Sequence, residues 1–432
     1  IYDHVIGGFA RYSVDEAWLV PHFEKMLYDN AQLARIYLRA GQVLGDPSLW
    51  TVTDEVIGYM NEHLRHPDGG YFSAQDADSE GEEGKFAVFE YDEFQEVTGD
   101  DFEVAARVFG VTERGNFEGK SILHRAASHA EVAEAIGGEV TEIEEAVDRA
   151  LQSLARVRAE RVPPALDDKV VTSWNGLTIR ALAEAGAVLG NEDHLSAARD
   201  CANFILDNLI DDDGRLLRSW SQGRASKKAF LDDNGAMATG LFALYQATGE
   251  IQWYRSAKRL TEAAVALFAD EPGAAMFSTG GDAEALISRK RDQMDNPLPS
   301  GNSLMAEALM LLAAYEGDAH SAVTAEGIMA AGGVLIERYP SAVGHLLAVA
   351  ASRLAGMREV AIVGPDAHHL ADAVWSGFHP DLALAVSVSE EPSIPLLEGR
   401  WSETETLAYV CKDFVCERPV STREQLTSSL QG

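Results

Sequence analysis

The chain has 432 residues, 46% of them apolar, and its 69 acidic and 35 basic residues give a formal net charge of −34. This excess of negative charge repels nucleic-acid phosphates and anionic lipid surfaces, so we expect neither as a partner. The sequence shows no signal peptide and no apolar run near the roughly 18 residues of a membrane span, which predicts a soluble, cytoplasmic protein.

Two further features of the composition concern the compartment. Only three cysteines are present, which favours a reducing environment, and we interpret Cys411 and Cys416 as packing thiols, with a disulfide as the second possibility. The acidity is typical of adaptation to concentrated intracellular salt, and an ordinary acidic cytosolic protein is the alternative.

The opening stretch combines rings, acids, bases and amides at unusual density. Residues 3–31 read DHVIGGFARYSVDEAWLVPHFEKMLYDNA. This mixture is typical of a wall that binds a polar ligand with flat apolar faces, such as a sugar. The alternative is a core helix preceded by a buried polar loop, in which every ionisable group needs a partner. The predicted substrate-binding residues of this stretch are Arg11, Tyr12, Trp18, Glu24, Lys25, Asp29 and Asn30.

After residue 20 the sequence predicts long amphipathic helices in pairs, because apolar residues recur at three- and four-residue steps. Short strand-like insertions that end in glycine separate them. Five or six such hairpins predict a mainly α fold, an (α/α) toroid whose odd helices form the inner ring. The predicted pairs are 22–44 with 47–65, 91–109 with 142–160, 172–189 with 193–209, 232–248 with 251–269, and 300–315 with 319–338, followed by 341–355.

The pattern changes after residue 356. REVAIVG, a helix near 366–376 and LALAVSVS predict a strand, a helix and a strand, followed by a strand near 406–410 and a helix near 423–430. We therefore predict a toroid domain over 1–356 and a small α/β appendage over 357–432. Because VGPDA lacks the glycine spacing of a nucleotide-binding loop, we predict no cofactor.

Each predicted inner helix begins with a polar cluster, such as LDDKVVTSWNGL, FLDDNGAM or NPLPSGNSLMAEA. Asp, Ser and Asn at a helix start are often simple N-caps. Four clusters at the same end of four ring-forming helices would nevertheless converge on one mouth and form a pocket. The further binding candidates in these clusters are Asp168, Trp174, Asn175, Ser300 and Asn302.

Carboxylates and histidines supply the candidate chemistry. Hydrolysis of a glycosidic bond needs two carboxyl groups flanking the bond, whereas epimerisation needs a base on each face of an acidic carbon. Asp76 and Asp78 are acidic candidates for binding, and their segment DADSEGEEG has Ala87 where a calcium loop requires Glu, so we predict no metal site. The predicted catalytic residues are His22, His4, Asp232 and Asp233.

Several long motifs resemble one known family. They are YDHVIGGFARYSVDEAWLVPHFEKMLYDNAQL, GGYFSAQDADSEGEEGKF, GNFEGKSIL, DDKVVTSWNGLTIRALAEAG, PSGNS and VCKDFVCERP. They resemble the thioredoxin-domain-containing family of spermatogenesis-associated protein 20, also called the DUF255 or YyaL-like family. The resemblance implies an (α/α)6, six-hairpin glycosidase-like region similar to N-acylglucosamine 2-epimerases. It also implies that the N-terminal thioredoxin-like domain, and the first hairpin with it, is missing here.

The chain departs from the family pattern at three places. VIGGF stands for the usual IGGGF, LDDNGAM lacks the aromatic that follows the acid pair, and GKFAVFE lacks the Tyr and Trp of KFYVW. These losses remove rings on which a sugar could stack.

Two functions follow as hypotheses. The first is a carbohydrate-active protein, sugar epimerase/isomerase-like or glycosidase-like, that binds a small molecule or oligosaccharide at the toroid mouth. In it, His22 acts as general acid or base, with His4 or the Asp232/Asp233 pair across the ring. The alternative is a non-catalytic glycan- or protein-binding module that works with a thioredoxin-like domain. A third interpretation makes the polar clusters structural caps around a packed centre.

Overall fold

The structure is a computed structural model that describes residues 1–270, 274–283, 288–412 and 415–431. The helices within these residues are α1 Leu27–Leu44, α2 Pro47–Tyr59, α3 Tyr91–Thr98, α4 Phe102–Phe109, α5 His129–Ile136, α6 Val140–Ala159, α7 Thr172–Leu189, α8 Glu192–Asn208, α9 Leu231–Thr248, α10 Ile251–Phe268, α11 Gly301–Glu316, α12 Ala319–Ala331, α13 Gly333–Arg338, α14 Gly344–Ala355, α15 Ala367–Trp375 and α16 Arg423–Gln431.

The strands are short and lie between the helices or in the C-terminal region. They are β1 Lys25–Met26, β2 Ala74–Gln75, β3 Asp78–Ser79, β4 Glu82–Glu83, β5 Leu166–Asp167, β6 Val170–Val171, β7 Leu217–Ser221, β8 Arg224–Lys228, β9 Arg358–Val363, β10 Leu382–Ser387, β11 Leu407–Lys412 and β12 Val415–Cys416. The first three sheets have the strand orders β1-β2-β5, β3-β4 and β6-β7-β8.

The chain divides into two compact units. The N-terminal unit comprises Ile1–Leu33, Asp54–Arg65 and Phe72–Asp168, and the C-terminal unit comprises Ala34–Thr53, His66–Tyr71 and Lys169–Gly432. In the N-terminal unit, α3 to α6 enclose an apolar core that includes Phe89, Phe94, Phe109 and Leu154. The boundary predicted at residue 356 stays a prediction.

In the C-terminal unit, α9 packs between α7 and α11. Each of these three helices also packs against the helix that follows it in the chain: α7 against α8, α9 against α10, and α11 against α12. Met305, Leu309, Ile328 and Leu346 belong to the core around α11. The structure confirms part of the predicted fold class: the described residues are mainly α, with paired helices, short β insertions and a C-terminal α/β segment. The closure of the helical hairpins into an (α/α)6 toroid stays a prediction.

The C-terminal segment forms a four-stranded sheet of order β10-β9-β11-β12. Strands β9 and β10 are parallel, as in the predicted strand–helix–strand, while β11 runs antiparallel to β9. The preference for packing thiols was wrong, because Cys411 and Cys416 form a disulfide. The register of β11 and β12 explains it, since the two residues are cross-strand partners.

Within the described ranges, no helix combines the length and the apolar character that a membrane span requires.

Candidate functional site

The start of α1 gathers three of the predicted binding residues. Arg11 Nη1 lies 3.2 Å from Glu24 Oε2, and the two backbones are joined by a 2.8 Å hydrogen bond from Arg11 N to Glu24 O. Asp29, in the first turn of α1, has a buried Oδ2 atom with no hydrogen-bond partner among the described residues. Burial raises the pKa of Asp29 to about 6, while the nearby Arg11 cation opposes the rise and the Glu24 charge adds to it. A carboxyl with such a pKa can accept or give a proton near neutral pH.

His22 lies in the same unit against an aromatic ring and a carboxylate. Its imidazole stacks on Tyr12 at a centroid distance of 4.7 Å, and its Nδ1 lies 3.1 Å from Glu83 Oε1. The backbone N of His22 also donates to Tyr12 O at 3.0 Å. Trp18 is 65% exposed on a turn with a φ of 58°. The structure therefore leaves ring faces and an imidazole accessible in the segment that precedes α1.

Lys25 is buried in an ion-pair triad. Its Nζ lies 2.9 Å from Asp3 Oδ2 and donates to Gly7 O at 2.8 Å, and Arg158 Nη1 lies 2.7 Å from both oxygens of Asp3. Burial alone would raise the pKa of Asp3, but the Arg158 and Lys25 cations bring it well below its ordinary value. The neighbouring His4 has its pKa lowered to about 4, first by burial and then by the Arg125 cation.

Three predicted binding residues, Asn30, Asn175 and Asn302, are at most 1% exposed and share one local role. Each accepts a hydrogen bond from a backbone N–H and donates to the carbonyl of the same residue, at 2.7–3.1 Å. Each amide also donates to a second carbonyl. The amides thus fasten a loop to the start of α1, α7 or α11, and their binding of a substrate stays a prediction. The loop residues are Phe9, Tyr71 and Met276.

At the start of α9, Asp232 and Asp233 share one cation. Arg218 Nη1, from β7, lies 2.9 Å from Asp233 Oδ2 and 3.3 Å from Asp232 Oδ2. Asp233 is fully buried and also accepts hydrogen bonds from the N–H groups of Ser173 and Phe230, at 3.1 and 2.8 Å. Burial, and then the Asp232 charge, raises the pKa of Asp233 to about 7. Only Asp232 of this pair retains accessible surface.

The remaining predicted residues lie in loops and helix starts. Asp76 and Asp78 are exposed, and Asp78 N donates to Asp76 Oδ1 at 3.3 Å. Ser300 is the N-cap of α11 and accepts from Ser303 N at 3.1 Å. Asp168 and Trp174 are half-buried. Their roles in binding stay predictions.

Sequence reasoning did not predict Arg218, the cation that pairs with Asp232 and Asp233. Arg218 follows two apolar residues in RLLRSW, and only the pairing of β7 with β6 and β8 shows where it points. It also missed a charged cavity lined by Arg35, Arg180 and Glu307. A usable signal was present, since Arg180 and Glu184 are ionic residues one turn apart on the otherwise mostly apolar helix α7.

The chain is similar in sequence to several curated proteins. Spermatogenesis-associated protein 20 of Homo sapiens is 30% identical, over 98% of this chain and 59% of its own length, and that of Mus musculus is 29% identical over the same shares. An uncharacterized protein of Caenorhabditis elegans is 28% identical over 99% of this chain and 64% of its own length. The chain thus spans less than two thirds of the curated relatives it matches. No protein-family model matches it.

Solved structures with a similar chain path include a cellobiose 2-epimerase from Spirochaeta thermophila, at 11% identity and a TM-score of 0.48 over 81% of this chain and 73% of that one. The cellobiose 2-epimerase from Bacillus thermoamylovorans has 10% identity and a TM-score of 0.47, over 77% and 66%. The unsaturated glucuronyl hydrolase from Bacillus sp. GL1 has 13% identity and a TM-score of 0.33, over 72% and 74%. Identities this low say nothing about activity.

Proposed function

We propose that the segment around the start of α1 binds a carbohydrate and transfers protons on it. The chain is similar to spermatogenesis-associated protein 20 along 98% of its length. The reaction class is sugar epimerisation or isomerisation, with glycoside hydrolysis as the other member of the proposal. The ligand is a small sugar or an oligosaccharide.

The observation that carries the proposal is the state of Asp29. Its Oδ2 is buried without a hydrogen-bond partner among the described residues, and its pKa is raised to about 6. An unpaired buried carboxylate oxygen costs free energy, so such a group persists where function uses it. In the proposed reaction the Asp29 carboxylate removes the proton from the carbon beside a sugar carbonyl. A proton from His22, or one that Asp29 has exchanged with solvent, returns to carbon, so no oxidant or reductant is needed.

The residues of the segment that precedes α1 fit a sugar. Arg11 and Glu24 offer a donor and an acceptor for hydroxyl groups, and the exposed rings of Tyr12 and Trp18 offer apolar faces. His22, held by Glu83, is the proposed second proton carrier. The catalytic roles of His4, Asp232 and Asp233 remain predictions.

The test is proton exchange in heavy water. The purified protein is incubated with a panel of aldoses and ketoses, and deuterium incorporation at the carbon beside the carbonyl is followed by NMR. We expect Asp29→Asn to lower the exchange rate by about 100-fold or more, the usual size of a general-base contribution. The wild-type rate should fall as the pH drops below about 6, because the carboxylate becomes protonated.

The matched control is Asp148→Asn, an exposed aspartate on α6 in the same unit, which should leave the rate unchanged. Full exchange by a folded Asp29→Asn protein would refute the role of Asp29.

A non-catalytic binding module is the second candidate, and one observation favours it. The charged groups around the segment are mostly ion-paired, as in Arg11–Glu24, Lys25–Asp3 and His22–Glu83. Groups paired in this way bind a ligand without needing to change protonation. This function predicts that a sugar raises the Tm of the protein, because it binds the folded state, while no sugar exchanges deuterium.

A further inference from the structure

A cavity of about 240 Å³ lies within the C-terminal unit, and no residue of the segment that precedes α1 lines it. Its lining comes from the C-terminal halves of α1, α7 and α9, from α11 and α14, and from the chain between α15 and β10. None of the sequence-predicted site residues lines it. The charged side chains of the lining are Arg35, Arg39, Arg180, Glu184 and Glu307, with His345 beside them.

Glu184 is the centre of one half of the charged lining. The Nε atoms of Arg35, Arg39 and Arg180 lie 2.9, 3.0 and 3.0 Å from its carboxylate oxygens. Three guanidinium groups on one carboxylate exceed what the carboxylate can neutralise. The pKa of Glu184 accordingly lies well below its ordinary value, even though burial alone would raise it.

Glu307 is the centre of the other half of the charged lining. Arg180 Nη1 donates to Glu307 Oε2 at 2.7 Å, and Arg180 Nη2 donates to the second oxygen. His345 Nε2 lies 2.8 Å from Glu307 Oε2. Each of the three guanidinium nitrogens of Arg180 therefore already donates to a glutamate of the network.

Arg35 and Arg39 are different, because part of each guanidinium is unused. Arg35 bonds Glu184 through Nε alone, and Arg39 bonds it through Nε and Nη2. Among the described residues, no hydrogen-bond partner contacts Nη1 or Nη2 of Arg35, or Nη1 of Arg39. With three arginines and two glutamates, the lining also carries one uncompensated positive charge when its histidines are neutral.

The environment of Arg35 supports this interpretation. Burial, followed by the Arg180 and Arg39 cations, lowers the pKa of Arg35 to about 9. A cation held beside two others in a cavity gains strongly from an anion, since opposite charges attract more in a medium of low dielectric constant. A carboxylate or phosphate presents paired oxygens that match the planar fork of an arginine.

Another part of the lining is apolar. It includes Trp375, Phe378, Met310, Val349 and Leu384. The Phe378 ring centroid lies 5.7 Å from Arg39 Cζ, so an aromatic face and a cation border the same space. The volume falls just below the roughly 300–1,000 Å³ of pockets for drug-sized ligands, which fits one small ring and not a chain of sugars.

We propose that this cavity binds a small organic anion, a carboxylate or phosphate ester on a compact ring, with its charged group on Arg35 and Arg39 and its ring against Trp375 and Phe378. This site is separate from the carbohydrate site proposed above and does not depend on it.

The test is isothermal titration calorimetry with three probes of similar size: glucuronate, glucose 6-phosphate and glucose. We expect at least one of the two anions to bind more tightly than glucose, with an affinity that falls as salt is added. Comparison of glucuronate with glucose 6-phosphate distinguishes a carboxylate site from a phosphate site. Arg35→Gln should weaken the binding by about tenfold or more, since a charge-assisted hydrogen bond is lost.

Arg259→Gln is the matched control, because Arg259 is exposed on α10 of the same unit, and it should bind as the wild type does. Circular dichroism verifies folding, and Arg39→Gln serves as the second variant if Arg35→Gln unfolds. Unchanged affinity in a folded arginine variant, binding of glucose as tight as that of the anions, or no binding of either anion to the wild type would each overturn the proposal. Since neither variant touches Asp29, loss of anion binding with intact deuterium exchange, or the reverse, separates the two sites.

Discussion

Asp3 shows how a polar residue of a candidate site can serve the fold instead. It lies between the Lys25 ammonium and the Arg158 guanidinium, both of which are buried. The sequence predicted Lys25 as a site residue only because aromatic and acidic residues surround it in the sequence. It could not show the triad, because Arg158 follows Asp3 by 155 positions. A ligand role for Lys25 stays a prediction, but the ammonium already has a carboxylate and a carbonyl as partners.

We expect Asp3→Asn to lower the free energy of unfolding by about 3 kcal/mol, because it leaves two buried cations without their carboxylate. Urea denaturation measures the loss, and Asp148→Asn is the control that should change the free energy little. The folded-state pKa of Asp3 is depressed, so its contribution is present above the unfolded value of about 3.9 and is lost as the pH falls below it. This role would be contradicted if the free energy of unfolding of Asp3→Asn fell with decreasing pH in the same way as that of the wild type.

At the scale of elements, the apolar periodicity predicted most helices closely. The helix predicted over 172–189 is α7, with the same bounds. The helix predicted from residue 22 starts only at Leu27, because Phe23 has a φ of 65° and β1 pairs with β2. The short helix α5 was missed, since it lies between the helices predicted over 91–109 and 142–160, where the sequence suggested a loop. Tertiary pairing, which periodicity does not contain, decided these cases.

Glycines set the distance between α7 and α9. A Cβ atom on Gly176 would lie 2.5 Å from the backbone carbon of Ala236, and one on Gly240 would lie 2.4 Å from Gly176 O. We expect Gly176→Ala to lower the free energy of unfolding by about 1–3 kcal/mol, because the two helices must move apart.

Gly58 on α2 is the control, because a Cβ atom there meets nothing within 4 Å. Gly58→Ala should leave stability unchanged or raise it by up to about 1 kcal/mol, through helix propensity. Equal stability of the two variants in urea denaturation would argue against close packing at Gly176.

At the scale of the whole molecule, the apolar periodicity of the sequence predicted a mainly α fold, and motifs spread along the chain resemble one family. The sequence did not predict the cavity lined by Arg35 and Arg39, called the arginine cavity below. These two residues bind Glu184, which lies 149 and 145 positions later in the sequence. The net charge of −34 gives no sign of this cavity, because a sum over the chain does not show where basic residues lie close together. Several of them, including Arg158 and Arg180, are buried in ion pairs.

We expect the Tm to rise between low salt and molar potassium chloride, because screening reduces the repulsion among the excess carboxylates. Thermal unfolding at several salt concentrations measures it. The buried ion pairs are screened much less than exposed ones, so Asp3→Asn should lower the Tm in both conditions. A Tm that falls steadily with potassium chloride would contradict the expected role of charge repulsion.

The wall of the arginine cavity that contains Trp375 and Phe378 is translated long after Arg35 and Arg39. During synthesis, the guanidinium groups and Glu184 can meet once α7 has left the ribosome, whereas the aromatic side arrives only with α15 and the residues that follow it. A nascent chain stalled before residue 357 would therefore expose the arginine cluster to water on that side, and the cavity would gain its ligand affinity only after α15 and β10 have been synthesised.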